Sequence, residues 1–165
     1  MTEFIRRTLS AMVLLLCLIW TSGSLQAHHS FSMYDRSIKY VFTGVVESIN
    51  PDASHLQINF VPLNEARDAL IRDASGERVI WSVEMEGAAV SAREGISIST
   101  FTRGTVFSVG LTPLRNGEPG GARIGGIFRC PEGKAPDAGK HCDSVTGAFH
   151  SGEENLANAK ARWSP

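Results

Sequence analysis

The chain has 165 residues, 42% hydrophobic and 20% charged, with 16 Lys and Arg against 17 Asp and Glu. That profile belongs to an ordinary globular protein and excludes a disordered, collagenous or multi-span membrane chain. A formal net charge of −1 offers no basic footprint for phosphate backbones, so nucleic acid is not an expected partner.

The first 27 residues read as a secretory signal. Arg6 and Arg7 form a short positive segment, Leu9 to Trp20 an apolar one, and Leu25-Gln26-Ala27 places a small residue at the cut. The apolar run is too short for a spanning helix, which needs about 20 residues. Export to the periplasm or beyond is therefore expected, with a mature chain starting at His28 and no stable membrane span after cleavage. What remains is one domain-sized chain, long enough to bury a core of its own.

Residues 28–128 read as a β domain. Tyr40 to Ile49 is β-branched and aromatic, a long first strand expected to bend or bulge at Gly44. Leu56, Ile58 and Phe60 alternate with polar residues, as do Val79, Trp81, Val83 and Met85, which gives two strands with one core face each. Trp81 is expected inside, and Glu84 outside with Arg78, Arg93 or Arg115 as its ion-pair partner. Asn64 to Ile71 has helical spacing behind an Asn cap, and Gly87 to Gly95 is a second short helix candidate. Thr105 to Leu111 is a fourth strand. Arg115-Asn116-Gly117 marks a turn, and Ala122 to Phe128 is a fifth strand loosened by its glycines. Five strands with a helical connection after the third match a small OB-like Greek-key barrel. Residues 129–165 read as a polar C-terminal extension in which only Asn155 to Arg162 has helical character.

Cys17 falls in the apolar part of the signal, leaving Cys130 and Cys142 in the mature chain. In an oxidising compartment that pair reads as a disulfide closing a loop rich in Pro, Gly and Lys. Zinc with His141 and His150 is the rival reading, but the paired Cys-x2-4-Cys spacing that makes zinc signals specific is missing.

Several short segments carry a resemblance when taken in order. They are His28-His29-Ser30-Phe31-Ser32-Met33-Tyr34-Asp35, Thr43-Gly44-Val45-Val46, Asn50-Pro51, Trp81 with Glu84, and Pro113-x-Arg115-x-Gly117 with Gly120-Gly121. Together they are similar to the DUF6152 family of exported bacterial proteins over residues 27 to 128. The resemblance implies export and a compact β domain, and no known activity. Where the family has Asn-Pro-His this chain has Asn50-Pro51-Asp52, with a histidine only at His55, and its 62–77 connection is longer than usual.

Chemistry-bearing candidates are few. After cleavage, the α-amine and ring nitrogen of His28 form a chelate that suits copper, with His29 or another histidine to complete it. His55, His141 and His150 read as solvent-facing. There is no Gly-x-Ser-x-Gly elbow, no His-Glu-x-x-His and no phosphate loop. The expected function is an exported, non-enzymatic binding protein for an unidentified small molecule or envelope protein. The alternatives are a copper-binding protein using His28 and His29, and a structural envelope-stress factor.

Overall fold

The structure, a computed structural model, describes residues 31–52, 54–152 and 156. His28 and His29, the signal segment, and nearly all of the 155–162 stretch lie outside the described residues. Six strands are present among the described residues: β1 (Tyr40–Pro51), β2 (Leu56–Pro62), β3 (Trp81–Glu84), β4 (Val106–Pro113), β5 (Gly120–Arg129) and β6 (Phe149–Ser151). β1 pairs antiparallel with β2 and with β4, β2 with β3, and β4 with β5. The start of β5 then pairs parallel with β3, from Ser82 opposite Gly120 to Glu84 opposite Ala122. That pairing closes a five-stranded barrel in the order 1-2-3-5-4. The order, with α1 (Ala88–Arg93) between β3 and β4, is consistent with the expected OB-like architecture.

Alternation sets which residues face in. Leu56, Ile58 and Phe60 of β2 and Trp81 and Val83 of β3 are buried, while the residues between them are partly exposed. The interior is filled by a run of aromatic rings. Tyr40 and Trp81 lie 6.1 Å apart, Trp81 and Phe42 4.6 Å, Phe42 and Phe60 5.6 Å, and Phe60 and Phe107 5.2 Å. Phe101 and Phe149 continue the run at 5.9 and 6.3 Å. Mostly edge-to-face, these pairs add to the burial of their large apolar surfaces.

Two sequence expectations move. The bulge in β1 falls at Glu47, where the register with β2 shifts between Val46 and Ser48. Gly44 instead makes room for a neighbour, since a Cβ there would meet the Phe60 ring at 2.6 Å and the Val61 carbonyl oxygen at 2.9 Å. Residues 64–71 form no helix. The Asn64 side chain accepts from the amides of Asp68 and Ala69, farther along the chain than a helix cap reaches, and Arg67 sits at φ 65°. This closes a loop that returns through the Leu63–Leu70 and Arg72–Arg78 bridges.

The C-terminal extension contributes a strand that the sequence conceals. β3 pairs only with the first residues of β5, so the far half of β5 has a free edge. β6 takes it, with Ile127 opposite Ser151 and Arg129 opposite Phe149. Arg123 and Ser151 both donate to the carboxylate of Glu94, at 3.0 and 2.9 Å, tying the end of α1 to β5 and β6. Partial burial pushes the Glu94 carboxyl up, but the Ser151 hydroxyl and the Arg123 guanidinium outweigh it and hold its pKa below the usual value.

Candidate functional site

Aromatic rings fill the barrel, so a concave site has to lie on its outside. An open groove of about 690 Å³ lies where the 99–106 segment faces the chain after β5. This is within the range of roughly 300–1,000 Å³ typical of small-molecule sites. It is lined by Thr100, Thr102 and Arg103 from the first segment, by Arg129, Cys130 and Lys134 from the second, and by Phe149. The groove therefore opens at the end of the aromatic run. There Arg129 packs its guanidinium over Phe101 and Phe149, 5.8 and 5.3 Å from the ring centroids, and donates to the Thr100 carbonyl. Cation–π contact on two rings and a backbone hydrogen bond hold this side chain in one place.

The Cys130 wall is fixed from behind. Cys130 and Cys142 are joined by a disulfide with their Cα atoms 5.0 Å apart, as expected. The Cys142 amide donates to Ser108 Oγ at 2.9 Å, Ser108 Oγ lies 2.8 Å from Thr43 Oγ1, and Thr43 Oγ1 lies 2.8 Å from His141 Nδ1. Thr43 and Ser108 are fully buried on β1 and β4, so this chain satisfies polar groups that would otherwise be costly to bury. His141 is thus a fixed part of the loop's anchorage and not the solvent-facing residue expected from its polar surroundings. The same loop also meets the long 62–78 connection. Arg67 Nε donates to the Lys140 carbonyl at 2.9 Å, and the Gly139 amide donates to the Glu65 carbonyl at 2.8 Å.

A second cluster forms away from the groove. Tyr34 bridges to Leu114, the Asp35 amide donates to the Pro113 carbonyl, and the Arg115 amide donates to the Met33 carbonyl. Arg115 Nε adds a bond to the Ser32 carbonyl. The buried Tyr34 phenol is raised to about 12 by desolvation, by the charge of Glu84 and by a hydrogen bond to it. Glu84 Oε1 also lies 3.3 Å from His55 Nδ1. Three of the short segments, around Tyr34, Glu84 and Pro113 to Arg115, thus meet in space and strap the N-terminal residues of the barrel unit onto the β4–β5 turn.

The family model for DUF6152, a family of unknown function, matches residues 15–123. The chain belongs to the DUF6152 family. No curated protein matches it, and no solved structure does. The DUF6152 match takes in the strap, Glu84 and the 99–106 side of the groove. It ends before Arg129, so the other wall is built from this chain's C-terminal extension.

Trp81 is buried in the core. Glu84 faces His55 and Tyr34, while Arg78 pairs with Glu47 at 3.1 Å and Arg115 serves the strap. The β1 bulge explains the exchange, because the extra residue Glu47 is turned toward Arg78 and Arg103. His55 is half-exposed just before β2 and approaches the Met85 carbonyl at 3.3 Å. His150 is exposed and stacks on Phe128 at 5.7 Å. The copper candidates His28 and His29 lie outside the described residues. Among the described residues no group of three or more His, Cys, Asp or Glu is placed to hold a metal. No helix among them is long and apolar enough to cross a membrane.

Sequence reasoning missed the groove. It carries no motif, and its walls come from segments about 30 residues apart that only the closing of the barrel, β6 and the disulfide bring together.

Proposed function

We propose that this DUF6152 protein is an exported, non-enzymatic binding protein that takes a small molecule in the groove between the 99–106 segment and the Cys130 loop. The observation that carries this reading is the preorganised Arg129, held on Phe101 and Phe149 in the wall of a concavity of ligand size. Rigid, convergent polar groups on an apolar base are what a binding site requires, because little ordering is left to be done when the ligand arrives. The disulfide supports the exported setting, since such bonds persist in oxidising compartments. The test is native mass spectrometry of the His28-starting chain incubated with separate sets of saccharides, amino acids, nucleotides and carboxylates. A one-to-one adduct with members of one set is expected, and no adduct with any set overturns the reading.

A further inference from the structure

Resting on that reading, we propose that the groove selects a small polyanion, a ligand carrying at least two phosphate or carboxylate groups. The chain as a whole is slightly acidic, yet the groove is lined by Arg103, Arg129 and Lys134 against Glu132 alone. Charge has therefore been segregated here against the average of the molecule. Neutralisation from outside is incomplete as well. Glu47 accepts from Arg103 and also from Arg78, one carboxylate serving two guanidinium groups. Lys134 is exposed, and no ion pair joins it to a described residue.

The three cations have different parts to play. Arg129 uses one donor on the Thr100 carbonyl, and no described residue takes the others of its planar fork, which fits the paired oxygens of a carboxylate or phosphate. Its rings and backbone bond immobilise it beforehand, so recognition there costs little side-chain entropy. Arg103 and Lys134 are exposed and line the groove from two different chain segments, and a ligand with separated anionic groups has a cation for each. The Thr100 hydroxyl is committed to the Gly95 carbonyl at 2.8 Å, so the exposed Thr102 hydroxyl, 3.3 Å from Thr105 Oγ1, is the neutral polar group that the groove adds. A monoanion engages only part of this set, and a neutral sugar leaves the cations without partners.

The experiment is calorimetric titration of the mature chain with inorganic pyrophosphate, with citrate, and with sucrose as the neutral probe, followed by the same titrations on Lys134→Glu and Arg129→Gln. Pyrophosphate or citrate is expected to bind and sucrose not, and whichever of the two binds more tightly identifies phosphate or carboxylate as the natural group. Affinity is expected to fall roughly tenfold in each variant and to weaken as salt rises from about 50 to about 500 mM. Lys134 is on the surface, so Lys134→Glu reports on charge without disturbing the core, whereas Arg129→Gln also loosens two rings and is read beside a circular dichroism spectrum. Sucrose binding as tightly as the anions, or anion binding unchanged by Lys134→Glu, overturns the polyanion proposal while leaving a binding groove in place. No heat with any probe overturns the polyanion proposal alone, because the saccharide, amino-acid and nucleotide sets test the groove separately.

Discussion

Reducing the Cys130–Cys142 bond removes a constraint on a loop whose ends are separated by 12 positions. The chain-entropy relation for a closed loop of that length gives about 3 kcal/mol of lost stability at 25 °C. The folded loop keeps its other anchors, namely the Cys142 amide on Ser108 and His141 on Thr43, so the barrel stays native and the effect falls on the unfolded chain. With a urea dependence of about 2 kcal/mol per molar, the unfolding midpoint should drop by roughly 1.5 M. Urea titrations followed by Trp fluorescence, with and without a thiol reductant, measure this directly. An unchanged midpoint with free thiols demonstrated by alkylation would refute the reasoning, since the loop would then be held by its hydrogen bonds alone. A changed slope would mean that residual structure in the unfolded state, and not loop entropy, dominates.

Other expectations follow from single contacts. Gly121→Ala places a Cβ 2.3 Å from the Thr112 carbonyl oxygen and 2.6 Å from Leu111 Cδ1, where backbone cannot give way, and thermal unfolding should show a loss of about 2–3 kcal/mol or a failure to fold. The raised Tyr34 phenol means that the folded state holds its proton more tightly than the unfolded one; that stability is complete below about pH 10 and lost as pH rises toward about 12. Ultraviolet difference titration should show the high transition disappear in Tyr34→Phe. Glu94 has the opposite sign, its lowered carboxyl contributing stability that is present above its ordinary pKa and lost as pH falls below it. Glu94→Gln should flatten the acid side of a stability-versus-pH curve. If the chain is exported as proposed, its intact mass should correspond to a start at His28, and that chain should bind Cu(II) in a calorimetric titration more tightly than one extended by a residue before His28, because extension converts the amine to an amide.

The barrel was legible wherever one residue in two faces a core. Leu56-x-Ile58-x-Phe60 and Trp81-x-Val83 carry that alternation in their side chains, and each is a strand. Legibility failed where a tertiary partner decides the local structure. Ala66, Ala69 and Leu70 have helical spacing, but the side chain of Asn64 and the left-handed backbone at Arg67 close a loop that docks on the Cys130 loop. Phe149–Ser151 is too short to announce a strand, and it becomes one because β5 outruns β3. His141 sits among polar residues in sequence and against buried Thr43 in space. Arg129 is an ordinary residue at the end of a strand until Phe101 from before β4 and Phe149 from β6 pack beside it. A groove assembled from such pieces leaves no periodicity or motif to read.

The most direct test of the groove as the ligand site is an amide-resolved NMR titration of the uniformly labelled mature chain with the tightest ligand found by mass spectrometry or calorimetry. Perturbations are predicted at Thr100 to Val106, Arg129 to Ala135, and Gly147 and Phe149, with the strap at Tyr34 and Leu114 unmoved. Perturbations centred on Tyr34, His55 and Glu84, or scattered over the β2–β3 face, would contradict the account and move the binding site to another part of the barrel.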